Sequence, residues 1–157
     1  MNIRQIGPDD WQVFSDIRLA ALREAPYAFG STFEAEVGAA EERWRRSVTD
    51  RARFVAEIDG RVVGTVGAGP GEFAGTAALT ALWVEPGLRR RGIGAALVGA
   101  VIEWAHGQRY ERVLLWVTQA NKRAERLYER LGFLRTGRVT EVRQGEPALE
   151  NEMSRQL

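Results

Sequence analysis

The stretch 81–97, ALWVEPGLRRRGIGAAL, holds the residues of this chain best suited to chemistry. Arg89, Arg90 and Arg91 run into Gly92-Ile93-Gly94, and an apolar helical pattern follows. Glycines at such a turn let the backbone approach a ligand and aim successive N–H groups the same way. The first turn of a helix adds unpaired N–H donors and partial positive charge. Guanidinium groups suit further phosphate oxygens. Taken singly, the arginines read as a solvated loop and the glycines as helix–sheet packing. Their combination describes a cradle for a pyrophosphate. Two competing phosphate motifs fail. A dinucleotide fingerprint needs a third glycine where Leu97 stands, and a P-loop needs Gly-Lys-Ser/Thr, whereas the single lysine is Lys122.

A second group lies downstream in NKRAERLYERLGF, 121–133. Ala124, Leu127, Tyr128 and Leu131 share the apolar face of a helix, and charged residues cover the other face. Gly132 stands where a left-handed C-cap is wanted, with Phe133 placed to fold back on the last turn. Asn121 is suited to two roles, helix N-cap or ligand contact.

Composition narrows the chemistry. The chain has 157 residues and no cysteine, which excludes disulfides, thiolate zinc sites and a cysteine nucleophile. One histidine, His106, excludes a His-rich metal site, and no metal is expected. Net charge is +1, giving no general pull toward nucleic acid or anionic membrane. No apolar run is long enough to span a membrane, and the N-terminus has no signal-type apolar stretch, so a cytoplasmic location is expected.

The elements that must position these residues follow from periodicity. A strand is expected at 2–6 and a helix from Pro8-Asp9-Asp10 to before Pro26. After the loop 26–32, a second helix, boxed by Ser31 and Glu34, should run to about Val48. FVAEI (54–58), Asp59-Gly60 and RVVGTVG (61–67) form a hairpin, followed by a Gly-rich loop over 69–75. TAALTALWV (76–84) and RVLLWV (112–117) read as buried strands flanking a helix at 92–106 that is apolar nearly all round. Two further strands are expected at 137–143 and 148–157. The fold class is therefore α/β (α+β). One domain is expected, with a mixed, mostly antiparallel central sheet flanked by helices in the order β-α-α-β-β-β-α-β-α-β-β.

With these motifs in place, the chain resembles the GNAT acetyltransferase superfamily. Arg89-Arg90-Arg91-Gly92-Ile93-Gly94 matches its acyl-CoA pyrophosphate motif, Q/R-x-x-G-x-G/A, and 121–133 matches its second motif. The resemblance is strongest over 78–133. It implies direct acetyl transfer from acetyl-CoA, as co-substrate, to an amine. Backbone groups of Leu82, Trp83 and Val84 would pair with the pantetheine arm, and an N–H near Leu82 would hold the oxyanion. N–H groups from Arg91 to Ala95 would hold the pyrophosphate, Asn121 and Ala124 would meet the pantetheine, and Tyr128 would protonate the departing thiolate. A tyrosine titrates near pH ~10 and a thiol near ~8.5, so the tyrosine is a ready donor at neutral pH. Tyr128 also reads as a core aromatic, and the two roles are compatible.

The sequence departs from the family at the general base. Residues 78–84 carry no acid, and Glu85, Glu57, Glu34, Glu36 or a water chain remain as candidates. Tyr27, Phe29 and Phe33, with Trp83, would offer aromatic surface to the acceptor, although Phe33 also reads as packing. The expected acceptor is a small-molecule primary amine. Alternatives are a peptide N-terminus or lysine, or a non-catalytic acyl-CoA-binding sensor. No nucleic-acid or membrane partner is expected, and the sequence is compatible with a homodimer without showing its interface.

Overall fold

The computed structural model describes residues 1–157. Strand β1 (Asn2–Ile6) leads into a 3₁₀ turn at Pro8–Asp10 and helix α1 (Trp11–Glu24). Pro8 presets the first turn, and the Asp10 carboxylate accepts from the Gly7 N–H at 3.0 Å. The α1 stripe buries Phe14, Ile17, Ala21 and Leu22, as its spacing requires.

The single helix expected from Ser31 to Val48 is two helices, α2 (Phe33–Glu36) and α3 (Glu41–Asp50). Thr32 rather than Ser31 is the cap, its Oγ1 accepting from the Ala35 N–H at 3.2 Å. The break falls at Gly38–Ala40. Glycine costs ~1 kcal/mol within a helix. The Trp44 indole N–H donates to the Ala39 carbonyl at 3.1 Å, which fixes the turn.

Strands β2 (Ala52–Ile58) and β3 (Arg61–Pro70) are longer than expected and meet at Asp59-Gly60. Both turn residues have positive φ, 51° and 77°, as a primed two-residue turn demands. Then follow β4 (Thr76–Val84), α4 (Ile93–Gly107), β5 (Arg112–Thr118), α5 (Lys122–Arg130), β6 (Leu134–Glu141) and β7 (Leu149–Gln156). The seven strands lie in the order β1-β2-β3-β4-β5-β7-β6, and every pair is antiparallel except β4 with β5.

Each face of the sheet has its own core. Phe54 and Ala56 of β2 pack toward α4 with Leu97, Val101, Leu115, Phe133 and Met153. Val55 points the other way, joining Phe14, Leu22 and Trp44 of α1 and α3. Helix α4 was expected to be buried nearly all round. It buries one face, through Ile93, Leu97, Val98, Val101 and Ala105, while Gly99 and Glu103 are exposed. No helix is long and apolar enough to cross a membrane.

Two irregularities position the site. First, β4 and β5 pair only at Thr76–Arg112, Ala77–Val113 and Ala78–Leu114. Beyond this seam the strands part, so residues 79–84 pair with β3 on one side alone. Second, Thr65 pairs with Trp83 and Gly67 with Thr80, so Ala81 and Leu82 share one partner across a β-bulge. Ala81 has φ +54°, where an L-residue pays ~1–2 kcal/mol. A β-branched side chain fits there worse still. Ala81→Val is therefore expected to lower stability by ~1–3 kcal/mol in urea unfolding, with Ala81→Gly within ~1 kcal/mol of the parent. Equal stability of the valine variant would show that the bulge relaxes.

Candidate active site

A cleft of about 670 Å³ lies between the end of β4, the start of α4 and α5, on the side where β4 has parted from β5. Leu82, Trp83, Val84, Arg89, Arg90, Gly92, Ile93, Gly94, Ala95, Asn121 and Ala124 all line it, and so does Tyr27. Arg91 does not line it and is exposed to solvent. Phe29 and Phe33, expected to face the acceptor, are elsewhere. Phe29 is buried in the α1-side core beneath the Arg18 guanidinium, and Phe33 packs against that core under Arg23, 4.4 Å from the ring centre. Their spacing follows the packing of the first two helices.

One end of the cleft is built to receive an anion. Gly92 is the N-cap of α4 at φ +82°, and no side chain caps the helix. The first intrahelical bond runs from the Ala96 N–H to the Gly92 carbonyl at 3.0 Å. The N–H groups of Ile93, Gly94 and Ala95 precede it and have no helical acceptor. A side chain at Gly94 would come within 3.1 Å of Leu127 Cδ2, so glycine lets α4 and α5 close together here.

The arginines are arranged differently from the expectation. Arg89 is an internal brace: Nε donates to the Val84 carbonyl at 2.9 Å and Nη2 to Glu24 at 2.5 Å. The same Glu24 oxygen accepts from the Trp83 indole at 2.9 Å. Further positive charge around the cleft comes from Arg90 and from Arg123, Arg126 and Arg130 of α5. Those three belong to the charged face of the helix, to which no site role was given; their i, i+3, i+7 spacing was the available signal. Glu125, assigned to that same face, is 3% exposed and paired with Arg135.

Tyr128, on the apolar face of α5, does not line the cleft and lies in the core that packs against α4. It is 6% exposed and meets Phe133 edge-on at 5.8 Å, and the Phe133 N–H returns to the Tyr128 carbonyl at 3.0 Å around Gly132. Burial pushes its hydroxyl above the ordinary tyrosine range. Asn121 Oδ1 accepts from the Ala124 N–H at 3.2 Å, so it caps α5 while lining the cleft.

The sequence matches the family model for "Acetyltransferase (GNAT) family" over residues 14–133. The chain belongs to the GNAT family. Among curated proteins, it is 35% identical to an N-acetyltransferase of Methanocaldococcus jannaschii over 96 residues, 58% of this chain and 42% of that one. It is 38% identical to the N-acetylaspartate synthetase of Danio rerio over 96 residues, 61% of this chain and 34% of that one. The chain thus spans about a third to two-fifths of the length of these relatives. Among solved structures, a ribosomal-protein-alanine N-acetyltransferase from Brucella melitensis superposes with TM-score 0.79 at 21% identity, with 100% of both chains covered. An acetyltransferase from Salmonella typhimurium, solved with acetyl-CoA, superposes with TM-score 0.80 at 22% identity over 100% of this chain and 94% of that one. At such identities the likeness to solved structures shows the fold.

Most carboxylates considered as the base of this GNAT chain are engaged. Glu85 takes both its bonds from Arg61, at 2.7 and 2.9 Å, which holds its carboxyl below the usual range. Burial raises Glu36, but the Arg18 fork at 3.0 and 2.9 Å, with Ser31, outweighs it and the net direction is down. Glu57 is paired with Arg4, and Glu34 is exposed on α2. Glu150, absent from the sequence-based candidates, stands opposite Thr118 in the sheet, and burial pushes its carboxyl up. The pattern Glu150-Asn151-Glu152 gave no hint of it, because both acids read as the polar face of a strand.

Proposed function

We propose that this chain transfers an acetyl group from acetyl-CoA to a primary amine, directly and within a ternary complex. The observation that carries the reading is the unpaired side of β4 over 79–84, leading to the uncapped N-terminus of α4. A pantetheine arm carries amides that pair like an added strand, and a pyrophosphate suits the N–H groups of Ile93 to Ala95. One ligand with both features fits a cleft with both partners.

In this reading Leu82, Trp83 and Val84 supply the strand-like pairing. The bulge re-aims a backbone N–H near Leu82 toward the thioester oxygen. The amine nitrogen attacks the carbonyl carbon, the new C–N bond forms and the C–S bond breaks. The nitrogen's surplus proton leaves to solvent water, and Tyr128 donates to the departing sulfur. Burial keeps the Tyr128 hydroxyl protonated, and the same dry setting raises the proton affinity of a thiolate beside it. Asn121 and Ala124 would touch the pantetheine.

A small acceptor is favoured by one further contact. Arg143, in the loop between β6 and β7, donates Nη2 to the carbonyls of Pro26, Phe29 and Ser31 at 2.7, 3.0 and 3.3 Å. This single guanidinium ties two loops together, where an open groove for a folded protein would need them apart. At a hundred times its Kd, acetyl-CoA is expected to stabilise the fold by about 2.7 kcal/mol, seen as a rise in melting temperature. Stabilisation by NAD but not by acetyl-CoA would sink the reading.

A further inference from the structure

On the sheet face that carries α1 and α3, Arg53 of β2, Gly67 of β3 and Thr80 of β4 stand in one row. Gly67 has no side chain, and its neighbours use the space. Arg53 Nη1 lies 2.6 Å, and Thr80 Oγ1 2.7 Å, from where a Cβ would stand. At Gly69 the same device admits Arg51, whose Nη1 lies 2.9 Å from the corresponding point. Two glycines thus let two guanidinium groups lie on the floor of the sheet. Thr80 immediately precedes the bulge at Ala81 and Leu82, so this floor adjoins the reacting centre.

Two of the donors gathered there lack acceptors. Arg51 Nη1 and Thr80 Oγ1 are enclosed and unpartnered. Arg53 donates through Nε to the Ser47 carbonyl at 3.3 Å and rests 4.6 Å from the centre of the Phe14 ring. Desolvation first, then the charges of Arg18 and Arg51, push its guanidinium down to about 10. The acid that faces it, Glu36, already gives both oxygens to Arg18. Stacking on Phe14 explains the position of Arg53, but leaves the bare Arg51 and Thr80 donors unexplained. Enclosing unpaired donors and uncompensated charge is costly, and an anion arriving from outside would satisfy all three groups.

We infer that the acceptor is an amino carboxylate, whose carboxylate is received by Arg53, Arg51 and Thr80 while its amino group faces the bulge at Ala81–Leu82. This rests on the acetyltransferase reading and narrows its acceptor to amines that carry an acid. A planar guanidinium fork matches a carboxylate in two bonds, and the threonine hydroxyl adds a third.

Calorimetry with acetyl-CoA tests the acetyltransferase reading alone. Thiol release is then followed with matched acceptors: free L-amino acids, their α-amides and the corresponding decarboxylated amines. The free acids are expected to show kcat/KM at least ~100-fold above their amides, because a site built for a charged group rejects the analogue lacking it. Arg53→Gln is expected to raise KM for the acid by ~100-fold with the Kd for acetyl-CoA within about twofold of the parent, and Arg53→Lys to recover part of the loss. Thr80→Ala, with an expected loss of ~10-fold, keeps the test standing if the Arg53 variants do not fold. Amides or simple amines that react as fast as the acids overturn the proposal. So does silence of every amino carboxylate with enzyme that binds acetyl-CoA. Enzyme that fails to bind acetyl-CoA overturns the acetyltransferase reading, and this one with it.

Discussion

Replacing Gly92 with aspartate is expected to weaken acetyl-CoA binding by more than ~100-fold, while lowering the melting temperature by only ~2–8 °C. The two effects have separate causes. Gly92 has φ +82°, and an L-residue there costs ~1–2 kcal/mol, less for Asp and Asn than for others. That sets the modest stability loss. The affinity loss comes from charge: the introduced carboxylate would sit at the uncapped start of α4, engage the N–H groups the pyrophosphate needs and repel its oxygens. Gly92→Asn has a similar shape without the charge, and its loss should be nearer ~10-fold. Calorimetric titration reads both. Parental affinity in the aspartate variant would place the pyrophosphate elsewhere.

Tyr128→Phe is the second large effect. It keeps the ring against Phe133 and deletes only the hydroxyl. Turnover should fall by ~10²–10³-fold, with the Kd for acetyl-CoA unchanged, because the proposed role of the hydroxyl is toward a sulfur that bears charge only as the bond breaks. The pH dependence carries a sign. Burial raises the Tyr128 pKa, so its proton is retained through the ordinary tyrosine value of ~10, and kcat should not fall on the alkaline side up to that point. Stability behaves likewise. The unfolded tyrosine ionises near ~10 while the folded one does not, so the contribution is intact below that pH and is lost as pH rises above it. Unchanged turnover in the phenylalanine variant would leave Tyr128 as a core aromatic only.

Features governed by neighbours in sequence were legible in the sequence. Asp59-Gly60 needed two positive φ values, and Gly132 needed one; each is a local steric demand that names its residue. The succession of strands and helices from β2 onward followed from periods and connection lengths. The uncapped helix start at Gly92 was readable because every group in it lies within a few residues. What escaped depends on partners distant in the chain. Arg89 looks like a phosphate contact until Glu24, 65 positions away, is seen to hold it. Phe29 and Phe33 look like a substrate wall until α1 folds over them and supplies Arg18 and Arg23. The bulge at Ala81 leaves no mark in a run of small and apolar residues, since alanine is not the residue a positive φ would suggest. Gly67 read as the end of a strand and Gly69 as the start of a Gly-rich loop, and only the register across three strands shows them as space filled by Arg53 and Arg51.

The short seam between β4 and β5 has a mechanical consequence. Through the backbone, β1 to β4 are joined to β5 to β7 by the pairs at Thr76, Ala77 and Ala78, near one end of both strands. The sheet resembles two plates welded at a corner, with α4 as the strap across one side. A pull that spreads the open ends loads the weld one bond at a time, as in unzipping, while every other strand boundary shares its load along most of its length. A molecule wedged between the plates and bonded to β4 becomes a second weld at the far end. Slowed amide exchange on filling the cleft should therefore appear in β4 and β5 together, although β5 gains no bond of its own.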